Sequence, residues 1–314
     1  MKLVIIEPLG VKKETLLAMA EQALGDAVEI VYYDTKVTDT ETLIERGKDA
    51  DIIVEANLPL NGEVIRGFEK LKLLSVAFTG IDHVAMDVCR EKGVLVCNCA
   101  GYSNCAVADL VFGLLIALYR NIIPCNETVR REGTKDGLVG FELEGKKFGV
   151  IGAGAIGTRV MRIAQAFGCE VYAYSRTRKE IPGVTFVTKE ELLSTCDVVS
   201  LHVPATPDTR NLINKETLSL MKESAVLINT ARGPVVNSQD LADALKNGKI
   251  AGAAVDVYEV EPPVPADHPL FGAPNLIATP HVAFATKEAL EKRAVIVFDN
   301  VKQWLAGTPV NVMG

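Results

Sequence analysis

The sequence predicts an α/β protein made of two doubly wound parallel-sheet domains, and three observations support this. Short runs rich in Val, Ile and Leu alternate with stretches of helical period along the whole chain. The alternation occurs twice, once over the first hundred residues and again from Lys147 onward. The chain has 314 residues, 48% of them hydrophobic and 23% charged, which is too long for one ordinary core and too apolar for disorder. Continuous apolar strands separated by helices mark a parallel sheet covered on both faces, because a half-exposed sheet would show alternating polar residues.

In the first series, strands are expected at residues 3–6, 28–32, 51–54, 72–77 and 94–97, with helical stretches such as 12–24 and 39–47 between them. In the second series they are expected at 148–151, 170–174, 198–201, 225–229 and 252–255. Residues 103–131 read as one long apolar helix punctuated by Pro124, suited to a core or a subunit contact. Residues 288–305 form a last long helix that ends at Gly307. No repeat of 20–50 residues and no low-complexity stretch interrupts this order.

Composition narrows the partners. A formal charge of −7 with no Lys/Arg cluster leaves no electrostatic footprint for nucleic acid. It also means that any site for an anion must be built locally. The most apolar window, residues 110–119, stops at Arg120, well short of a membrane span. The apolar run after Met1-Lys2 is too short for a signal peptide. Seven cysteines without a C-x-x-C pair fit reduced thiols better than disulfides or a metal site, although Cys97 and Cys99 are spaced like alternate strand residues. A cytoplasmic protein with no metal is expected.

Gly152-Ala153-Gly154-Ala155-Ile156-Gly157 fits G-x-G-x-x-G. Alone the pattern is weak, but here a strand precedes it and a helix follows. In that setting the glycines allow a tight turn, a close approach of backbone to a pyrophosphate, and tight helix–strand packing. The start of the helix then supplies oriented N–H groups to the phosphates. An NAD site wants a carboxylate about 20 residues on to accept from the ribose 2′-OH. The sequence there is Tyr174-Ser175-Arg176-Thr177-Arg178, with no acid. Arg176 is suited to pair with a 2′-phosphate, with Ser175 and Thr177 as further donors, so NADP is the expected cofactor and NAD a possible one. The plain alternative is a solvated basic turn that tolerates both.

Three later segments follow strands, at the carboxyl ends where open α/β sheets bind ligands. They are Asn229-Thr230-Ala231-Arg232-Gly233, then Asp256 through Pro263, then Thr279-Pro280-His281-Val282-Ala283-Phe284. Together they hold what reduction of a keto acid requires. Arg232 offers a fixed cation for the carbonyl and carboxylate, His281 a proton donor for the developing alkoxide, and Glu261 a carboxylate to hold that imidazole. Glu259, two residues away, competes with Glu261 for the last role.

With these motifs in this order, the sequence resembles the D-isomer-specific 2-hydroxyacid dehydrogenase family over essentially its whole length. The resemblance implies Arg232 as substrate anchor, Glu261 as the partner of His281, and His281 as acid/base. It places Asp256 near the nicotinamide carboxamide, Thr230 and Ala231 beside the cofactor, and His202, Val203 and Pro204 near its adenosine half. It also implies a flavodoxin-like substrate domain of residues 1–100 and 287–314, a Rossmann dinucleotide-binding domain of residues 101–286, an active site in the cleft between them, and a homodimer. Asp109 stands where family members usually carry Glu. Substrate would meet loops of the first domain, where Leu58, Phe78, Thr79 and Gly80 lie, together with Phe284. Residues 56–60 and 77–81 hold no Lys or Arg, which argues against a phosphorylated substrate. Glyoxylate, hydroxypyruvate, pyruvate and a branched-chain keto acid stay open. A rival role on the same fold is a nucleotide-sensing scaffold resembling the corepressors related to these enzymes, and fold alone does not separate the two.

Overall fold

The computed structural model describes residues 1–177 and 179–314; Arg178, from the strand-end stretch quoted above, lies outside the described residues. The chain divides into two compact units, Met1–Ser103 with Ala285–Gly314, and Asn104–Phe284. The first crossing thus falls after Ser103 rather than after residue 100, where a helix begins, and the second after Phe284 rather than 286.

In the first unit, strands β1 (Lys2–Ile5), β2 (Glu29–Tyr32), β3 (Ile52–Glu55), β4 (Leu73–Val76) and β5 (Leu95–Cys97) lie parallel in the order β5-β4-β3-β1-β2. A last short strand, Val312–Met313, adds antiparallel to β5. Read along the chain, this is the flavodoxin-like order, which reverses between β1 and β3. β3 and β4 are buried along their whole length, which is why they read as unbroken apolar runs. The last long helix, Lys287–Leu305, is capped by the Thr286 side chain, which accepts from the Ala289 N–H, and it packs on the first helix, Lys13–Leu24.

In the second unit, β6 (Lys147–Ile151), β7 (Glu170–Tyr174), β8 (Val184–Phe186), β9 (Val198–Leu201), β10 (Val226–Asn229), β11 (Gly252–Val255) and β12 (Leu276–Ala278) form one parallel sheet. Its order is β12-β11-β10-β9-β6-β7-β8, so direction reverses between β6 and β9. This is the Rossmann order with a seventh strand. One face is covered by helices Asn104–Tyr119 and Ala155–Ala166 through Phe112, Leu115, Val160 and Met161. The other carries helices Lys189–Thr195 and Ser238–Lys246 through Leu192, Leu193, Leu241 and Leu245.

The single helix expected at 103–131 is two helices, Asn104–Tyr119 and Ile122–Arg130, bent by 55°. The break lies at Asn121, whose left-handed backbone (φ 51) ends the first helix. Pro124 falls in the first turn of the second helix, where a missing N–H costs nothing. No single helix among the described residues is long and apolar enough to cross a membrane.

Candidate active site

The dinucleotide turn starts where β6 ends, at the switch point of the second sheet. Gly152 has φ 106, and a Cβ there would collide with the His202 carbonyl. A Cβ on Gly157 would collide with the carbonyl of Gly152. Both glycines are therefore required by backbone approach. Gly154 is different: its φ is −73 and a Cβ would meet no atom within 4 Å. Neither strain nor packing asks for glycine there, and the open space suits a group brought close to the backbone. No side chain caps the helix that starts with Ala155 and Ile156, so its first N–H groups have no side-chain acceptor.

Beyond β7, Ser175 is half-buried, and Arg176 and Thr177 are exposed. Arg176 Nη1 lies 3.8 Å from Asp208 Oδ2, with side chains 81% and 79% exposed. A pair so long and so wet holds the guanidinium weakly. No sequence pattern points to Asp208, which reaches Arg176 from the turn after β9; that turn is closed by Thr209 Oγ1 donating to the Pro204 carbonyl at 2.6 Å. His202 and Val203 pack against Gly152, and His202 Nε2 is 2.8 Å from Ser200 Oγ. Burial pushes the His202 imidazole down to about 3, so it is neutral at ordinary pH.

β10, β11 and β12 are neighbours, so the segments at their carboxyl ends share one edge of the sheet. Asn229 is buried and folds the first segment: its Oδ1 accepts from the Ala231 N–H at 3.1 Å and its Nδ2 donates to the Arg232 carbonyl at 3.0 Å. Arg232 Nη1 donates to the Ala231 carbonyl at 2.8 Å. Gly233 is needed because a Cβ would strike the Tyr258 backbone, so this segment seats directly on the next.

His281 Nδ1 lies 2.8 Å from Glu261 Oε1. Glu259 is engaged elsewhere: its Oε1 accepts from the Ser238 N–H at 3.3 Å and its Oε2 is 3.2 Å from His268 Nε2. Burial alone would raise the Glu259 carboxyl, but the bonds from Ser238 and His268 outweigh it and hold it below the ordinary carboxylate range. Geometry thus pairs Glu261 with His281 and engages its competitor Glu259 elsewhere.

His281 has φ 54, a backbone state that costs a non-glycine residue roughly 1–3 kcal/mol unless its surroundings fix it. Asp256 fixes it. The His281 N–H donates to the Asp256 carbonyl at 2.8 Å. Asp256 Oδ1 accepts from Thr279 Oγ1 at 2.6 Å and the Val282 N–H at 2.9 Å, and Oδ2 accepts from the Ala283 N–H at 2.9 Å. Burial raises the Asp256 carboxyl against the opposing pull of these donors. Asp256 is fully buried, and its carboxylate holds the histidine loop.

Leu58 is fully buried. Phe78 is buried beside Tyr102, with ring centroids 6.2 Å apart, while Thr79 is exposed and Gly80 half-buried. Phe284 is half-buried and presents its ring edge-on to His281 at 5.6 Å.

Residues 112–283 match the family model for the D-isomer specific 2-hydroxyacid dehydrogenase, NAD binding domain. The chain belongs to the D-isomer-specific 2-hydroxyacid dehydrogenase family. It is 36% identical to a hydroxypyruvate reductase of Blautia hydrogenotrophica, over 100% of this chain and 99% of the relative. A glycerate dehydrogenase of Methylorubrum extorquens is 39% identical over 87% of this chain and 88% of its own. Among solved structures, an acyclic imino acid reductase in complex with NADPH and D-Arg superposes with a TM-score of 0.90 at 33% identity, covering both chains completely. This member of the family is accordingly an oxidoreductase that acts on the CH–OH group of hydroxyacids.

The residues present fit a nicotinamide dinucleotide. The space at Gly154 admits a pyrophosphate, and Thr230 Oγ1 is buried without a hydrogen-bond partner among the described residues, the state of a hydroxyl kept for a ligand. When bound, the cofactor supplies or accepts the hydride of a hydroxyacid dehydrogenase. The chain's own groups do the rest. Arg232 provides fixed positive charge at the strand edge. Glu261 Oε1 holds the His281 ring through Nδ1.

Proposed function

We propose that the chain reduces a small, unphosphorylated 2-keto acid to its D-2-hydroxy acid, preferring NADPH, as a cytoplasmic homodimer. The observation that carries this reading is the His281–Glu261 pair at 2.8 Å, on the sheet edge that also bears Arg232. The carboxylate orients the ring, and reduction needs a positioned proton donor because the alkoxide formed at the carbonyl carbon must gain a proton. Arg232 binds the substrate carboxylate and polarises the carbonyl. In the first unit, the loop after β4 offers the Thr79 and Gly80 backbone N–H groups to a substrate carboxylate and Phe78 as apolar surface; in the second, Phe284 offers apolar surface beside His281. With no Lys or Arg in residues 56–60 or 77–81, a phosphate would find no counter-charge there. The relatives named hydroxypyruvate reductase and glycerate dehydrogenase agree with a short keto acid. Ile123, Val139 and Phe141 are exposed near the helix break and suit burial against a second copy of the chain.

NADPH preference rests on the strand end after β7. Arg176, loosely paired with Asp208, is available to a 2′-phosphate. Arg176→Ala is expected to weaken NADPH by about ten- to a hundredfold, the worth of a charge-assisted bond, and to leave NADH nearly unchanged. Steady-state KM values for both cofactors check this. A wild-type enzyme that already favours NADH would refute the preference.

A further inference from the structure

A second set of titratable groups lies in the first unit, apart from the Arg232, Glu261 and His281 machinery. Glu7 follows β1, Glu55 ends β3, and His83 follows β4, so all three sit at the carboxyl edge of this parallel sheet. Glu7 and Glu55 flank the point where strand order reverses. In such a sheet that crevice is where loop N–H groups are offered to ligands. Here the protein takes them itself. Glu7 Oε1 accepts from the N–H groups of Ala56 at 2.7 Å and Asn57 at 2.9 Å, and Glu55 Oε2 accepts from Leu58 at 3.1 Å. Glu55 Oε1 is 2.8 Å from His83 Nε2.

The two carboxylates are 2% and 0% exposed, and burying them is costly unless they are paired. The groups facing them are His83, Lys36, which is 3.8 Å from Glu7 Oε2, and Asp82 beside the histidine. Burial pulls the His83 imidazole down. Glu55, with Glu7 and Asp82 behind it, outweighs burial and raises it above its ordinary value. Burial and the charge of Glu55 push the Glu7 carboxyl up.

The loop after β4, which carries Phe78, Thr79 and Gly80 just before His83, is pinned from its other side as well. Cys99 N–H donates to the Phe78 carbonyl at 2.9 Å, and Asn98 Nδ2 to the Thr79 carbonyl at 2.8 Å. We propose that Glu7, Glu55 and His83 are positioning residues for substrate: they tie the loop after β3 to the loop after β4 and so fix where the Thr79 and Gly80 N–H groups stand. The inference rests on the reading above that this second loop holds the substrate carboxylate.

The test uses the full-length enzyme and a keto acid that the wild type reduces. His83→Gln is expected to raise KM for the keto acid by about tenfold or more, since loss of a charge-assisted bond is worth about that much. It should change kcat far less and leave NADPH affinity, measured by fluorescence titration, as in wild type. Glu55→Gln, which keeps an acceptor, should retain more of the wild-type KM than Glu55→Ala. Phe78→Ala, altered in the loop itself, tests the underlying reading separately. If Phe78→Ala raises KM and a folded His83→Gln does not, the positioning role is overturned and the substrate loop stands. If neither moves KM, the loop reading fails and the proposal with it. Should His83→Gln not fold, Glu7→Gln carries the same measurement, with the same two outcomes.

Discussion

His281→Gln is expected to lower keto-acid turnover by about 10²–10⁴-fold, the usual contribution of a positioned general acid, while NADPH binds as in wild type. Glutamine fills much of the imidazole volume but cannot give up a proton. It can still meet Glu261, whose Oε1 now lies 2.8 Å from the ring. The backbone that places the residue does not depend on the ring, because the His281 N–H bonds to Asp256 and Thr279 and the Asp256 carboxylate holds the neighbouring residues. Thermal stability should therefore stay near wild type. Single-turnover and steady-state rates, together with NADPH titration, check the assignment. A fall of less than about tenfold would remove His281 from the role of general acid.

Asp256→Asn should cost about 10²-fold in kcat, although the residue is fully buried and next in line behind the histidine. Its carboxylate receives Thr279 Oγ1, the Val282 N–H and the Ala283 N–H. An amide offers one oxygen and turns its NH2 toward one of these donors, leaving a buried N–H unpaired at about 1–3 kcal/mol. The loop then loses what holds His281 at φ 54, and a shift of about 1 Å in a reacting group is enough for such a loss of rate. Unlike His281→Gln, this variant should also melt several degrees lower. NADPH affinity discriminates further: an unchanged value supports the positioning role, whereas a large loss would return Asp256 to the cofactor. Unaltered kcat would contradict the account of the loop.

The two sheets were legible because parallel strands buried on both faces leave unbroken apolar runs, as at β3, β9 and β10. The short strands Val184–Phe186 and Val312–Met313 were not, since half-exposed edge strands carry no such run. The helix break was assigned to Pro124 because proline is visible in a sequence, whereas the left-handed backbone of Asn121 is not. The glycine turn was legible because each residue type is dictated by space that the backbone or a ligand must occupy. The catalytic pair was readable only in part. Glu259 and Glu261 lie in irregular chain after β11, where no periodicity says which way a side chain turns. Asp208, and the ties among Glu7, Glu55 and His83, join loops distant in sequence, His83 standing 28 positions after Glu55 and Ala56 49 positions after Glu7. No local pattern announces such contacts.

The central claim, reduction of a small unphosphorylated 2-keto acid with NADPH, is tested most directly by one measurement. The purified chain is offered glyoxylate, hydroxypyruvate, pyruvate, a branched-chain keto acid and a phosphorylated keto acid, each with NADPH and with NADH. Loss of cofactor absorbance is followed, and chiral products are resolved by chromatography. The account predicts turnover of at least one unphosphorylated acid, faster with NADPH, giving the D product, and little activity on the phosphorylated one. Binding of NADPH without turnover of any of them, or an L product, would contradict it.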